Sequence, residues 1–430
     1  MPSAKPSRNF SMPPSPSIPL RACRWLALFL ALILTARVTA RADVFDKIHD
    51  ALSLNDSRDR FQFQLSGLVD LETYFIDQPA PGLLFTDRDF LLNPRFTLFL
   101  DAQIGSKIYL FAQTRVDRGF DPSDDGAQIR LDEYFVRYSP AKNVKFQIGQ
   151  FATVVGNWVA RHDSWQNPFI NAPLPYENLT GIWDTWAPEE TDVLLGWGHV
   201  GKYDNGDYSD KIWRNPIIWG PSYATGIAVS GSCGRFDYAA EMKNAALASR
   251  PESWNITQVG LDHPTFSGRA GFRPNEMWNL GVSASGGPYL VSDAADGLPP
   301  GRGIGDYREL VLAQDISFAW HHLQLWAEFY EARFEVPRIG NADTFSYYFE
   351  AKYKITSQLF GALRWNQQVF GTIRDEDHFT KWGNDIWRID AALGYRFTNN
   401  LQGKLQYSFS RQDTLRDGES LIAAQATLKF

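Results

Sequence analysis

The sequence predicts an all-β chain that closes as a transmembrane antiparallel barrel of about sixteen strands, or eighteen if its longest connection holds a strand pair. Three observations carry this: period-two alternation in segment after segment, connections that alternate short and long, and an export leader with no later long apolar run. The alternation is clearest at the C-terminal end. Ile422, Ala424, Ala426, Leu428 and Phe430 share one face, with Gln425, Thr427 and Lys429 on the other. Upstream, Leu405, Tyr407 and Phe409 oppose Gln402, Lys404, Gln406, Ser408 and Ser410. In 386–397, Trp387, Ile389, Ala391, Leu393, Tyr395 and Phe397 oppose Arg388, Asp390, Gly394 and Arg396. Trp387 and the Tyr395/Phe397 pair lie near opposite ends of the apolar face, roughly 20 to 25 Å apart along a strand tilted by ~40°. That spacing fits aromatic girdles bounding a lipid-facing band. A soluble sandwich shares the alternation but has no need of this placement.

From the start, Lys5, Arg8, Arg21 and Arg24 precede the apolar run 25–34 and the small-residue site Ala40-Arg41-Ala42, so 1–42 reads as a secretory signal peptide. The 43–60 stretch reads as a periplasmic lead-in, with Val44, Phe45, Ile48, Ala51 and Leu52 at helical spacing. The barrel occupies 61–430. Its predicted strands are 61–71, then four further ones at 90–101, 107–118, 129–138 and 144–151, the fourth of these with imperfect alternation of the kind a bulge produces, and then, beyond the long 152–220 connection, 223–230, 235–245, 265–272, 278–285, 308–318, 322–333, 344–354 and 359–370 before the last three. Short links are expected at 102–106, 139–143, 231–234, 273–275, 319–321, 355–358 and 398–400. Long ones are expected at 76–89, 119–128, 152–220, 246–264, 286–307, 334–343, 371–385 and 412–420. An unbroken short-long order puts both termini on the periplasmic side of a bacterial outer membrane.

The net charge of −7 argues against a nucleic-acid binder, which needs a basic face to hold phosphates. Of the two cysteines, Cys23 lies in the leader, so Cys233 has no disulfide partner after export.

With its leader, its amphipathic last strand ending in Phe430, its girdle aromatics and its enlarged third external connection, the chain resembles a Gram-negative outer-membrane porin. The stretch from Arg137-Tyr138 through Lys145-Phe146-Gln147-Ile148-Gly149-Gln150-Phe151 is similar to the strand pair before the third loop of phosphate-selective O and P type porins. The resemblance implies a homotrimer, a third loop folded into the lumen, and a C-terminal strand that is handled by the barrel-assembly machinery. Outer-membrane lipids and lipopolysaccharide would surround the barrel, and small hydrophilic solutes or ions would pass through it.

Alternation assigns each wall residue a direction, and the inward list is mixed with a slight basic excess. Its main basic members are Arg115, Lys145, Arg235, Arg269, Arg364, Arg388, Arg396 and Lys404. The third loop is acidic and rich in aromatic residues. Trp158, Arg161, Asp163, Trp165, Glu177 and Asp184 are its candidate constriction residues. An acidic loop facing basic wall residues would set a transverse field that favours dipolar solutes. Phosphate or anion selectivity and sugar selectivity stand as alternatives, as does an outer-membrane enzyme or adhesion barrel with a closed lumen. No catalytic residue, cofactor or metal is expected. His162-Asp163-Ser164 are sequence neighbours, whereas a triad is defined by spatial roles. The Gly-containing acidic stretches 121–126 and 204–207 are explained by ordinary turns as well as by calcium.

Overall fold

The computed structural model describes residues 51–56, 60–76, 83, 90–118, 127–195, 214–413 and 418–430. The predicted leader, residues 43–50 of the lead-in, and the acidic stretches 121–126 and 204–207 lie outside the described residues.

Sixteen antiparallel strands form the wall: β1 Phe61–Ile76, β2 Phe90–Ile104, β3 Ile108–Asp117, β4 Gln128–Ala141, β5 Val144–Gln150, β6 Thr225–Cys233, β7 Phe236–Lys243, β8 Thr265–Phe272, β9 Trp278–Pro288, β10 Arg308–Trp320, β11 Leu323–Val336, β12 Gly340–Lys354, β13 Leu359–Phe370, β14 Ile386–Arg396, β15 Leu401–Gln412 and β16 Glu419–Lys429. Each strand pairs with its neighbours in sequence, and β16 returns to β1 with Leu421 opposite Ile76 and Lys429 opposite Leu68, so the sheet closes.

The two faces are inverted relative to a soluble protein. Leu312, Leu363, Ile389 and Leu393 are exposed on the outside, whereas Glu309, Glu328, Arg364, Asp390 and Gln406 are buried within. Aromatic rings gather towards both ends of the outer face. Trp387 stacks on Trp365 at 5.5 Å and meets Phe409 at 5.6 Å, while Tyr395 and Phe397 lie 4.9 Å apart nearer the other end. Such a surface suits hydrocarbon bounded by two interfaces.

One sequence expectation changes. The predicted long 334–343 loop is instead the tip of the β11–β12 hairpin, whose ladder runs to Val336 opposite Gly340 and turns over Arg338 at φ +63°. Beyond the helical spacing read through Leu52, the lead-in adds a short strand, Ser53–Asn55, paired with Gln62–Gln64. The long third connection adds no strand pair among the described residues; it holds one isolated bridge, Trp183 to Arg214, so the wall has sixteen strands rather than eighteen. Within 371–385 a small hairpin forms, Thr372–Asp375 against His378–Lys381.

The alternation breaks in β4 for a physical reason. Gln113 faces Glu133 and Thr114 faces Leu131, leaving Asp132 as an extra residue. Before this bulge Ile129 and Leu131 point out, and beyond it Val136 and Tyr138 do. The phase change turns Arg130 and Asp132 inward.

At the seam the chain terminus completes the ladder. The Gly67 amide donates to the Phe430 carbonyl at 3.0 Å, and the Phe430 amide returns a bond to Gly67 at 3.1 Å. A Cβ on Gly67 would sit 2.5 Å from the Phe430 ring and 2.8 Å from the Thr97 carbonyl. Gly67→Val is therefore expected to destabilise the closed barrel by about 1–3 kcal/mol. Urea unfolding from lipid vesicles measures this, and an unchanged midpoint would refute the account of the seam.

Candidate functional site: the lumen and the long third connection

The 151–224 connection is organised by local signals. Asp163 accepts from the Trp165 and Gln166 amides at 2.9 and 2.8 Å, closing an Asx turn. The helical turn Leu174–Glu177 starts after extended Pro173 and holds Pro175 in its first turn, where no amide is needed. Gly156, at φ +77°, lies so close to the Tyr176 and Tyr330 hydroxyls that a Cβ would collide with both.

Its side chains and backbone bond to the inward residues of β7, β9 and β11 to β15. The Glu328 carboxylate accepts from the Asn157 amide, the Trp158 amide at 2.8 Å, and the Tyr176 and Tyr330 hydroxyls at 2.8 and 3.1 Å. Arg161 pairs with Glu350, and its guanidinium lies 4.3 Å from the Trp326 ring centre. Arg388 pairs with Glu177 and Asp390 and donates to the Ala172 carbonyl at 2.6 Å. Arg364 donates to Asp390 at 2.8 Å and to the Asn171 side-chain oxygen at 2.6 Å. The Lys404 ammonium donates to three carbonyls, Ser164, Asn167 and Phe169, at 2.8, 3.0 and 3.1 Å. These basic wall residues are thus engaged by the connection's own acceptors. A buried ion pair of this kind holds position because stripping one partner leaves a desolvated charge.

Other predicted residues fall elsewhere. Arg269 is clamped between Asp315, at 2.7 Å, and Asp237, at 2.8 Å. Lys145 is exposed beside the β4–β5 turn, and exposed Arg235 belongs to the β6–β7 turn rather than a strand. Arg396 donates to Gln402 at 3.2 Å and lies 5.4 Å over the half-buried Trp165 ring. Asp184 pairs with Arg250 of the 244–264 connection at 2.8 Å. Glu177 and Asp184 therefore sit in compact ion pairs, not as free carboxylates facing a solution.

The space near β1 to β4 is different. A cavity of about 180 Å³ is lined on the wall side by Asp70, Glu72, Asn93, Arg95, Gln113, Arg115, Asp117 and Arg130, and by Trp158, His162, Asp163 and Ser164 of the connection. The wall charges alternate in sign and pair. Arg95 bonds Glu72, Arg115 Nε lies 3.1 Å from Asp132, and Arg130 reaches Asp117 at 2.7 Å. His162 hydrogen-bonds the Val159 carbonyl through Nδ1 at 2.6 Å and Tyr223 through Nε2 at 2.7 Å, an arrangement that a neutral ring satisfies. Burial also pushes its pKa below the usual histidine value.

Arg130, Asp132 and Arg250 are absent from the sequence-derived set. The broken alternation at Asp132-Glu133 is the signal that could have found the first two. No periodicity marks Arg250.

Apolar packing fills the rest of this region. Val155, Trp158, Val159, Tyr176, Ile217 and Ile218 of the connection cluster with Val311, Ala313, Tyr330, Ala332 and Tyr348 of β10 to β12. Ile182 and Leu194 join Tyr289, Leu290, Phe334, Val336, Phe370 and Trp382 in a second cluster built from other connections and strand ends.

Burial raises the Asp184 carboxyl to about 6 despite the Arg250 guanidinium beside it. Since that exceeds its ordinary value of 3.8, the folded segment binds the extra proton and loses stability as pH rises from about 4 through about 6. The loss is on the order of 3 kcal/mol and is complete above that window. Protease cleavage within 157–190 is expected to accelerate over this interval in the wild type and to show a flat profile in Asp184→Asn. An equal slope in both would refute the assignment.

No protein-family model matches the sequence, and no curated protein is similar to it. Solved structures do match in fold. OmpF of Salmonella typhi, solved with daunomycin, superposes with a TM-score of 0.55 at 12% identity over 88% of this chain and 100% of that one. The anion-selective porin from Comamonas acidovorans gives 0.54 at 11% identity over 86% and 100%. The outer-membrane channel DcaP of Acinetobacter baumannii gives 0.53 at 10% identity over 88% and 99%. With polar groups inside, apolar groups outside and sixteen closed strands, the fold of this chain is that of an outer-membrane β-barrel porin.

Proposed function

We propose that the chain forms a passive outer-membrane channel for small hydrophilic solutes or ions, narrowed by the 151–224 connection folded into its lumen. The observation that carries this reading is the cavity bounded by β1 to β4 on one side and by Trp158 to Ser164 on the other. The bonds from Glu328, Arg364, Arg388 and Lys404 to the connection support its inward placement. The same reading puts both termini in the periplasm, has the strand ending at Phe430 engage the assembly machinery, and surrounds a homotrimer with lipid and lipopolysaccharide. It makes the protein a conduit rather than an enzyme.

Selectivity follows from the charge arrangement. Each guanidinium on the cavity wall faces a carboxylate, so the path presents no uncompensated patch of one sign. Weak discrimination between small anions and cations is expected, with neutral polar solutes admitted, in place of phosphate specificity.

The second reading, a barrel with an occluded lumen whose function lies in its external connections, draws on the two apolar clusters within and above the bore. Planar-bilayer recordings decide between the two. The channel reading expects ohmic conductance steps, and reversal potentials near zero across a KCl gradient. Folded protein without steps favours the occluded barrel, and a strong anion preference restores the phosphate alternative. Removal of 157–190 from a barrel that still folds is expected to raise conductance. Unchanged conductance would refute the constriction.

A further inference from the structure

The charge balance of the cavity wall does not extend to the opposite arc. At the end of the barrel that carries the short links, β12 to β16 bring five cations to the inner face: Lys352, Lys354, Arg396, Lys404 and Lys429. The register gathers them. Lys354 faces Phe360, Phe360 faces Gly394, and Gly394 faces Lys404 along one line of paired residues. A Cβ on Gly394 would collide with the Phe360 ring, so that ring fills the space over the glycine, and the Lys352 ammonium lies 4.4 Å from the ring centre. Arg396 and Lys429 lie 5.4 and 5.9 Å from the centre of the Trp165 ring. None of the five lines the cavity beside β1 to β4.

The carboxylates of this region are engaged elsewhere. Glu350 pairs with Arg161, Asp70 accepts from the Thr427 hydroxyl, and Asp163 closes its own turn. Lys404 donates to neutral carbonyls, which leave its charge uncompensated. Lys352 is the decisive group. It is 9% exposed and has no hydrogen-bond acceptor among the described residues, yet its ammonium is not one of the sealed polar atoms. It therefore opens on the lumen without a counter-charge. Among charged groups, the cations Arg396 and Lys354 act on it most strongly, ahead of Glu350. A buried ammonium among like charges is costly unless an anion joins it.

These properties select the ligand. A cation is repelled, and a neutral solute leaves the charges unpaired. Arg396 bonds Gln402 through Nε, which leaves its two terminal nitrogens as donors beside the Lys352 ammonium. An anion with several oxygens can bridge a guanidinium and an ammonium, whereas chloride offers a single point. More than one unpaired positive charge favours an anion with at least two negative ones.

We infer that this cluster is a binding site for a small multivalent oxyanion, held by Lys352 and Arg396 with Lys354 and Lys429 at its rim. The site lies apart from the balanced cavity wall, and its occupancy is measured without conduction, so its failure leaves the channel reading untouched. Isothermal titration of the folded full-length protein in uncharged detergent, at constant ionic strength set by KCl, is expected to show saturable binding of sulfate or succinate. Lys352→Met, which keeps an apolar stem and removes the charge, and Arg396→Gln are each expected to weaken that binding about tenfold. Where these fail to fold, Lys354→Gln at an exposed position takes their place with a loss in the same direction. Lys142→Gln, an exposed lysine in the β4–β5 turn, is expected to keep wild-type affinity.

Saturation by sulfate alone assigns a tetrahedral occupant, and saturation by succinate alone a dicarboxylate. Absence of saturation by both overturns the inference. So does wild-type affinity in every folded variant of the cluster. An equal loss in Lys142→Gln also overturns it, because the attraction is then diffuse and belongs to no site.

Discussion

Everything in this molecule depends on pairing backbone amides and carbonyls where lipid supplies no substitute. A strand edge left open in hydrocarbon would cost several kcal/mol for each unmet group, which is why the sheet must meet itself. Here the closure is made by β16 against β1, extended by the reciprocal bonds of Gly67 and Phe430. Once the ring is complete, period-two geometry divides every strand into an outer apolar row and an inner polar row. The interior that results is large, lined with ionisable groups, and in need of internal partners.

The connection between β5 and β6 supplies many of those partners. It brings carbonyls to Lys404, a carboxylate to Arg388, a guanidinium to Glu350 and amides to Glu328. The exchange runs both ways, so neither the wall nor the connection is simply the acidic or the basic partner. Bringing separate charges into contact pairs shortens the range of their fields. The groups beside β1 to β4 keep contact with the open cavity, and there too the arginines and carboxylates alternate.

Much of the wall was legible from residue order alone, because a strand with lipid on one side and water or polar protein on the other must alternate. Trp387, Ile389 and Leu393 declare the outer row, and Arg388 and Asp390 the inner one. The pattern misleads where geometry departs from that period. The extra residue at Asp132 reversed the phase of β4 and hid Arg130. The polar Asn341 and Asp343 resembled loop residues, although they lie on an extended hairpin, where Arg333 and Asp343 form an exposed pair at 2.6 Å. Which wall charge meets which residue of the connection was not legible. Alternation yields a direction but neither a height nor a partner, and Lys404 recognises backbone carbonyls that any sequence would present.

The uneven filling of the bore also has a mechanical consequence. Bonds from the connection reach β11 to β15 and act as struts across that arc, while apolar packing resists its compression. Around the cavity the arc from β1 to β4 is stiffened along its surface by ladder bonds and by ion pairs between neighbouring strands, but it has open space behind it. Lateral pressure from the bilayer therefore meets a stiff arc and a compliant one. The wall beside the cavity is expected to yield more readily than the braced arc, which keeps its shape.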